Sequence, residues 1–131
     1  MTGEVSPRRS TLLLIGAVGV LVPSLASAHA ALVESTPRDG EVIAAAPPAA
    51  VLRFNVRIER RLTRATLTGP DGRAIALPGA PVAVEDAPDR VSIPLPPLSP
   101  GAYRLRFVVL ASDGHASPGL IHFTVGRGPP R

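Results

Sequence analysis

Of the three histidines in the chain, two stand where metal chemistry is possible. His29 lies in the run Ser27-Ala28-His29-Ala30-Ala31-Leu32. If the chain is cut after Ala28, His29 becomes the first residue, with a free amine beside its imidazole. Such a histidine offers the amine and Nδ1 to one metal as a chelate ring. The second, His115, closes the motif Ser112-Asp113-Gly114-His115. In an extended segment, residues i and i+2 point to the same side, so the Asp113 carboxylate and the His115 imidazole converge. Gly114 between them adds backbone freedom. An Asp-x-His pair alone is a weak signal, since a surface loop with a hydrogen-bonded histidine reads the same way. With His29 added, the set becomes three nitrogens and one oxygen. Imidazole and nitrogen/oxygen donors in a tetragonal arrangement suit Cu(II), which also heads the divalent affinity order. Both imidazoles must be neutral and the amine deprotonated to bind, so affinity should fall in acid.

The cut itself is legible. Arg8 and Arg9 form a basic n-region, residues 12–22 are an apolar run, Pro23 and Ser24 break it, and Ala26-Ser27-Ala28 is an A-x-A cleavage site. That order is a secretory signal, residues 1–28. The run is well short of the roughly 20 apolar residues a transmembrane helix needs. The adjacent arginines raise the twin-arginine route, but such pairs are common and the general secretory route is expected. What remains, residues 29–131, is enough for one small domain.

Composition narrows the classes further. All 14 basic residues are arginine, and the formal charge of +4 with little aromatic interleaving argues against nucleic acid. The absence of cysteine means that no disulfide staples the domain. Any metal site must then use nitrogen and oxygen ligands.

The elements that must position these ligands read as strands. From His29 onward no stretch sustains helical periodicity, and short β-type runs alternate with Pro and Gly. Residues 51–56 (VLRFNV) and 65–67 alternate in polarity, and Gly69-Pro70-Asp71-Gly72 marks a turn before a strand over 74–77. Residues 91–95 follow an acidic loop at 85–89. The longest strand, 102–110 (AYRLRFVVL), puts Tyr103, Leu105, Phe107 and Val109 on one face and Arg104 and Arg106 on the other. A last strand over 120–125 turns Ile121, Phe123 and Val125 inward, which leaves His122 facing solvent with no ligand role. About seven strands in this length suit an all-β, immunoglobulin-like Greek-key sandwich. Tyr103 is expected in the core with its hydroxyl on a backbone partner. Asp39, Asp71 and Asp89 read as turn formers. Arg57, Glu59, Arg60, Arg61 and Arg64 read as a solvated charged loop more readily than as a docking patch. The tail, 126–131, reads as frayed.

Several motifs together carry a resemblance. HAALVESTPRDGEV from His29, LRFN at 52–55, TLTGPDG at 66–72, LSPGAYRLRFVVLASDGH at 98–115 and FTV at 123–125 occur in order. The sequence resembles the CopC family of periplasmic copper-binding proteins over nearly all of residues 29–131. The resemblance implies a small cupredoxin-like or immunoglobulin-like β-barrel. It also implies one Cu(II) ion held by the His29 amine and imidazole, Asp113 and His115. A periplasmic role in copper resistance or homeostasis is implied too, alongside a CopD-type inner-membrane protein. Two departures matter. Some members carry a Met-rich loop for Cu(I), but the only Met here is Met1, so the chain resembles the Cu(II)-only kind. A Glu often follows the second-strand F-N; here Val56 or Arg57 takes that place. The long-strand aromatic that is often Trp is Phe107.

The expected product is a monomeric copper carrier, not an enzyme. Two rivals are a copper oxygenase built on a histidine brace and a metal-free adhesion or scaffold module. The first is opposed by the scarcity of aromatics for a polysaccharide-binding face and by Asp113, which would stabilise Cu(II) against reduction.

Overall fold

A computed structural model describes residues 29–59 and 61–127, together with Thr2, Gly3, Gly16 and Gly19. The expected signal segment therefore lies outside the described residues apart from those four positions, as do Arg60 and the end of the tail. Among the described residues nine strands run in chain order: β1 (Leu32–Thr36), β2 (Glu41–Ile43), β3 (Ala49–Phe54), β4 (Arg64–Thr68), β5 (Ala74–Ile75), β6 (Val82–Val84), β7 (Ala87–Pro94), β8 (Gly101–Leu110) and β9 (Ala116–Val125). They build a 4-stranded sheet ordered β1-β3-β7-β6 and a 5-stranded sheet ordered β2-β9-β8-β4-β5. No helix appears among the described residues, and the expected all-β sandwich is what forms.

Alternation decides which residues fill the space between the sheets. Ala50 and Leu52 of β3 stand opposite Ile93 and Val91 of β7 across the ladder, and all four are buried along with Phe54 at the end of β3. From the other sheet, Tyr103, Leu105, Phe107 and Val109 of β8 are buried with Ile121, Phe123 and Val125 of β9, while Arg104 and Arg106 are exposed. Each large side chain removed from water contributes roughly 1.5–3 kcal/mol. The Tyr103 hydroxyl donates to the Ser99 carbonyl at 2.6 Å, so the one polar atom on that row is satisfied.

Three local expectations need correction. Strands β1, β2 and β6 escape the sequence pattern, which is why the described residues hold nine strands where the pattern marks six runs; two of the three are only three residues long, and β1 is exposed except at Ser35. The acidic segment 85–89 is not wholly a loop, because β7 begins at Ala87 and includes Pro88 and Asp89. The last strand begins at Ala116, not at Leu120, and carries Pro118 in its interior. That proline is tolerated because β2 covers β9 only at Phe123, Thr124 and Val125, so at Pro118 one side of β9 is an open edge.

Candidate metal centre

The β8–β9 hairpin pairs without a break from Gly101↔Val125 to Leu110↔Ala116. Five residues, Ala111 to His115, therefore close it. The Gly114 N–H donates to the Ala111 carbonyl and the Ala111 N–H to the His115 carbonyl, both at 2.9 Å. Gly114 takes φ +91°, a conformation that a β-carbon disfavours. The loop is thus a tight turn, not an extended segment. Asp113 and His115 still converge, but by another route: Asp113 Oδ1 accepts the His115 backbone N–H at 3.0 Å, an Asx-type turn. The second oxygen, Oδ2, lies 3.1 Å from His115 Nδ1.

That contact has a chemical consequence. An imidazole that gives its Nδ1 proton to a carboxylate takes a metal through Nε2, whereas one that binds through Nδ1 can share the ion with that carboxylate. The Asp113 carboxyl is held below its ordinary value, chiefly by the His115 backbone N–H. Burial opposes this, while the His115 side chain and the charges of His115 and His29 reinforce it. Asp113 is one-third exposed and His115 about half exposed, so the pair sits at the surface within reach of an ion.

His29 is brought to the same place. The His29 and His115 ring centroids lie 5.6 Å apart in an edge-to-face arrangement at 71°. Two side chains fix the residues that follow. Ser117 Oγ accepts the Ala30 N–H at 3.0 Å, and Asn55 Oδ1 accepts the Ala31 N–H at 2.7 Å. The Asn55 N–H returns a bond to the Ala31 carbonyl at 3.0 Å. Neither Ser117 nor Asn55 stands out in the sequence as a site residue, although Asn55 ends the LRFN motif. Ser117 carried one legible signal, a polar residue on the inward phase of an otherwise apolar strand.

Among the described residues no three side chains of the His, Cys, Asp and Glu types form a ready-made metal cage. Asp113 is turned to His115, and in the uncut chain the expected fourth donor, the His29 nitrogen, is a peptide amide. The third histidine stays apart. His122 is exposed as expected, seven residues along β9 from His115, roughly 23 Å in an extended strand. Its backbone N–H donates to Asp39 Oδ1 at 2.8 Å, with its Nδ1 at 3.4 Å from the same oxygen. Asp39 lies in a turn as expected, but its side chain bonds across the fold and not within the turn. Asp71 behaves as read, accepting the Arg73 N–H at 3.1 Å. The charged residues Arg57, Glu59, Arg61 and Arg64 are exposed.

A family model described as the CopC domain matches residues 32–126. This chain belongs to the CopC family. Among curated relatives, copper resistance protein C of Pseudomonas syringae pv. tomato is 32% identical over 127 residues, 89% of this chain and 96% of its own length. Copper resistance protein C of Xanthomonas campestris pv. juglandis is 34% identical over 110 residues, 80% of this chain and 86% of its own. Among solved structures, CopC from Methylosinus trichosporium OB3b superposes with a TM-score of 0.70 at 28% identity, covering 79% of this chain and 99% of that one. PcoC of Escherichia coli, described as a methionine-rich copper resistance protein, gives 0.63 at 29% identity, covering 75% and 99%. Unlike a methionine-rich relative, this CopC protein has a single Met, at position 1.

Proposed function

We propose that this CopC protein is exported to the periplasm by the general secretory route and cut behind Ala28. It then works as a monomeric carrier of one Cu(II) ion in copper resistance or homeostasis. The ion is cargo, held by the amine and imidazole of His29, by Asp113 and by His115. A CopD-type inner-membrane protein is the recipient or donor. The observation that carries the reading is the approach of His29 to His115 from opposite ends of the domain, with Asp113 already bonded to His115. The names of the relatives support the copper in it, and the N/O donor set supports the +2 state. No helix among the described residues is long and apolar enough to cross a membrane.

A carrier is favoured over an oxygenase by the fate of the aromatics. Phe54, Tyr103, Phe107 and Phe123 are the only Phe, Tyr and Trp residues in the chain, and all four are buried. No such ring is left to stack on a sugar or a base. The deciding experiment is Cu(II) EPR on protein whose N-terminus is verified as His29, at one equivalent of copper. A single tetragonal signal with nitrogen hyperfine splitting, altered by Asp113→Ala and by His115→Ala, is the expected result. The same signal from protein with an extra residue before His29 would overturn the amine's role. A spectrum of loosely bound copper in both proteins would overturn the site.

A further inference from the structure

The His29 imidazole can reach His115 only if the three residues at the chain start hold one course, and short termini fray unless something ties them down. Two ties are present, one from each sheet. Asn55 directly follows β3 of the 4-stranded sheet and extends the β1–β3 ladder, which pairs Leu32 with Phe54, by one more step at Ala31. Ser117 belongs to β9 of the 5-stranded sheet, where it stands opposite Val109. The residue is 7% exposed, inward on a face otherwise made of Gly119, Ile121, Phe123 and Val125. A hydroxyl there is costly unless bonded, and its partner is the Ala30 N–H, 87 positions away. Ala30 itself packs against the core.

We infer that Ser117 and Asn55 are positioning residues for the copper site. They hold the backbone of Ala30 and Ala31 at the seam between the sheets, so that His29 is delivered to His115 before any ion arrives. This rests on the reading of His29 and His115 as ligands. Ser117 acts two residues after His115 on the same stretch of chain, so one short segment supplies a ligand and fixes its opposite number. Without the ties, residues 29–31 must be ordered as the ion binds. Backbone ordering of one residue corresponds to about a tenfold change in an equilibrium constant.

The test uses the chain beginning at His29 and the variants Ser117→Ala, Asn55→Ala, Ser117→Thr and Asn55→Asp. Hydrogen exchange on the copper-free protein comes first. The Ala30 amide should be protected in the parent and exposed in Ser117→Ala, and the Ala31 amide likewise in Asn55→Ala, with β8 amides unchanged in both. Cu(II) competition should then show about a tenfold loss of affinity for each alanine variant. The conservative variants, which keep an acceptor oxygen, should recover most of it. Unprotected Ala30 and Ala31 amides in the parent would refute the ties themselves. Protected amides with unchanged Cu(II) affinity in the alanine variants would refute their role in delivery. A parent that binds no Cu(II) but shows the protection pattern would instead overturn the ligand reading and leave the ties standing as structure.

Discussion

Substituting alanine for Gly119 offers a test of the packing behind the turn that carries Asp113 and His115. Gly119 lies on β9 opposite Phe107 of β8, and its missing side chain is what admits the ring. A β-carbon at that position would overlap Phe107 Cζ and Cε2 and meet Cε1 at 2.9 Å, whereas carbon atoms rest about 3.5–4.0 Å apart. The ring has nowhere to go. Phe107 is buried, and Phe54 stands edge-on to it with centroids 5.9 Å apart at 75°. Overpacking of this kind costs roughly 1–3 kcal/mol, offset by up to about 1 kcal/mol because alanine loses less backbone entropy than glycine on folding. The net expectation is about 2 kcal/mol, which at about 4–8 °C per kcal/mol lowers the melting midpoint of a domain this size by about 8–16 °C. Thermal unfolding followed by circular dichroism measures it. The cause is isolated by the double variant Gly119→Ala/Phe107→Leu, in which the smaller side chain removes the overlap. Its loss should fall short of the sum of the two single losses by at least about 1 kcal/mol. A Gly119→Ala midpoint within about 2 °C of the parent, or strict additivity in the double variant, refutes the argument.

Other outcomes follow from single contacts. Tyr103→Phe removes the 2.6 Å bond to Ser99 and orphans that carbonyl; a loss of about 1 kcal/mol in denaturant unfolding is expected. The Asp39 carboxyl is held below its ordinary value of 3.8, chiefly by the His122 backbone N–H. Its stabilisation is therefore complete above that value and is lost as the pH falls through the lowered one. Asp39→Asn should flatten the decline of the melting midpoint below about pH 4, and parallel curves for parent and variant would contradict this. Asp113→Asn keeps an acceptor for the His115 N–H but removes the anionic oxygen. It should weaken Cu(II) by at least about tenfold in a chelator competition while leaving the copper-free midpoint above about pH 5 within a few degrees.

The long strands were legible because their burial is strict. In β8 the inward set Tyr103, Leu105, Phe107 and Val109 alternates with arginines, and no other element type satisfies that pattern. Strand β2 gives no such signal, since its three residues gain their place from pairing with Phe123, Thr124 and Val125 of a strand distant in sequence. The upper part of β9 was hidden by Pro118 and Gly119, residues that locally argue against a strand and are accommodated only by an open edge and an overlying ring. At the site, residue types pointed to His29, Asp113 and His115, but the local geometry behind the pairing differed. A turn closed by a backbone bond, not strand alternation, brings Asp113 to His115. Asn55 gave no sign, and Ser117 gave only its polar type on the inward phase of β9, because their partners are backbone amides that a sequence does not distinguish.

The seating of Ala30 by Ser117 joins parts of the chain 87 positions apart, at the start and near the end of the domain. An ion shared by His29 and His115 would close that same long loop with a far stronger bond. The chain has no cysteine, so it lacks the cross-link by which exported domains of this size resist unfolding. Copper would act as a reversible cross-link in its stead, confining the unfolded ensemble as a disulfide does, by up to about 4–5 kcal/mol for a loop of this length. Cargo and longevity then become one variable. A domain holding such an ion would unfold less readily than the empty one, so its cleavage by proteases would slow as metal occupancy rises.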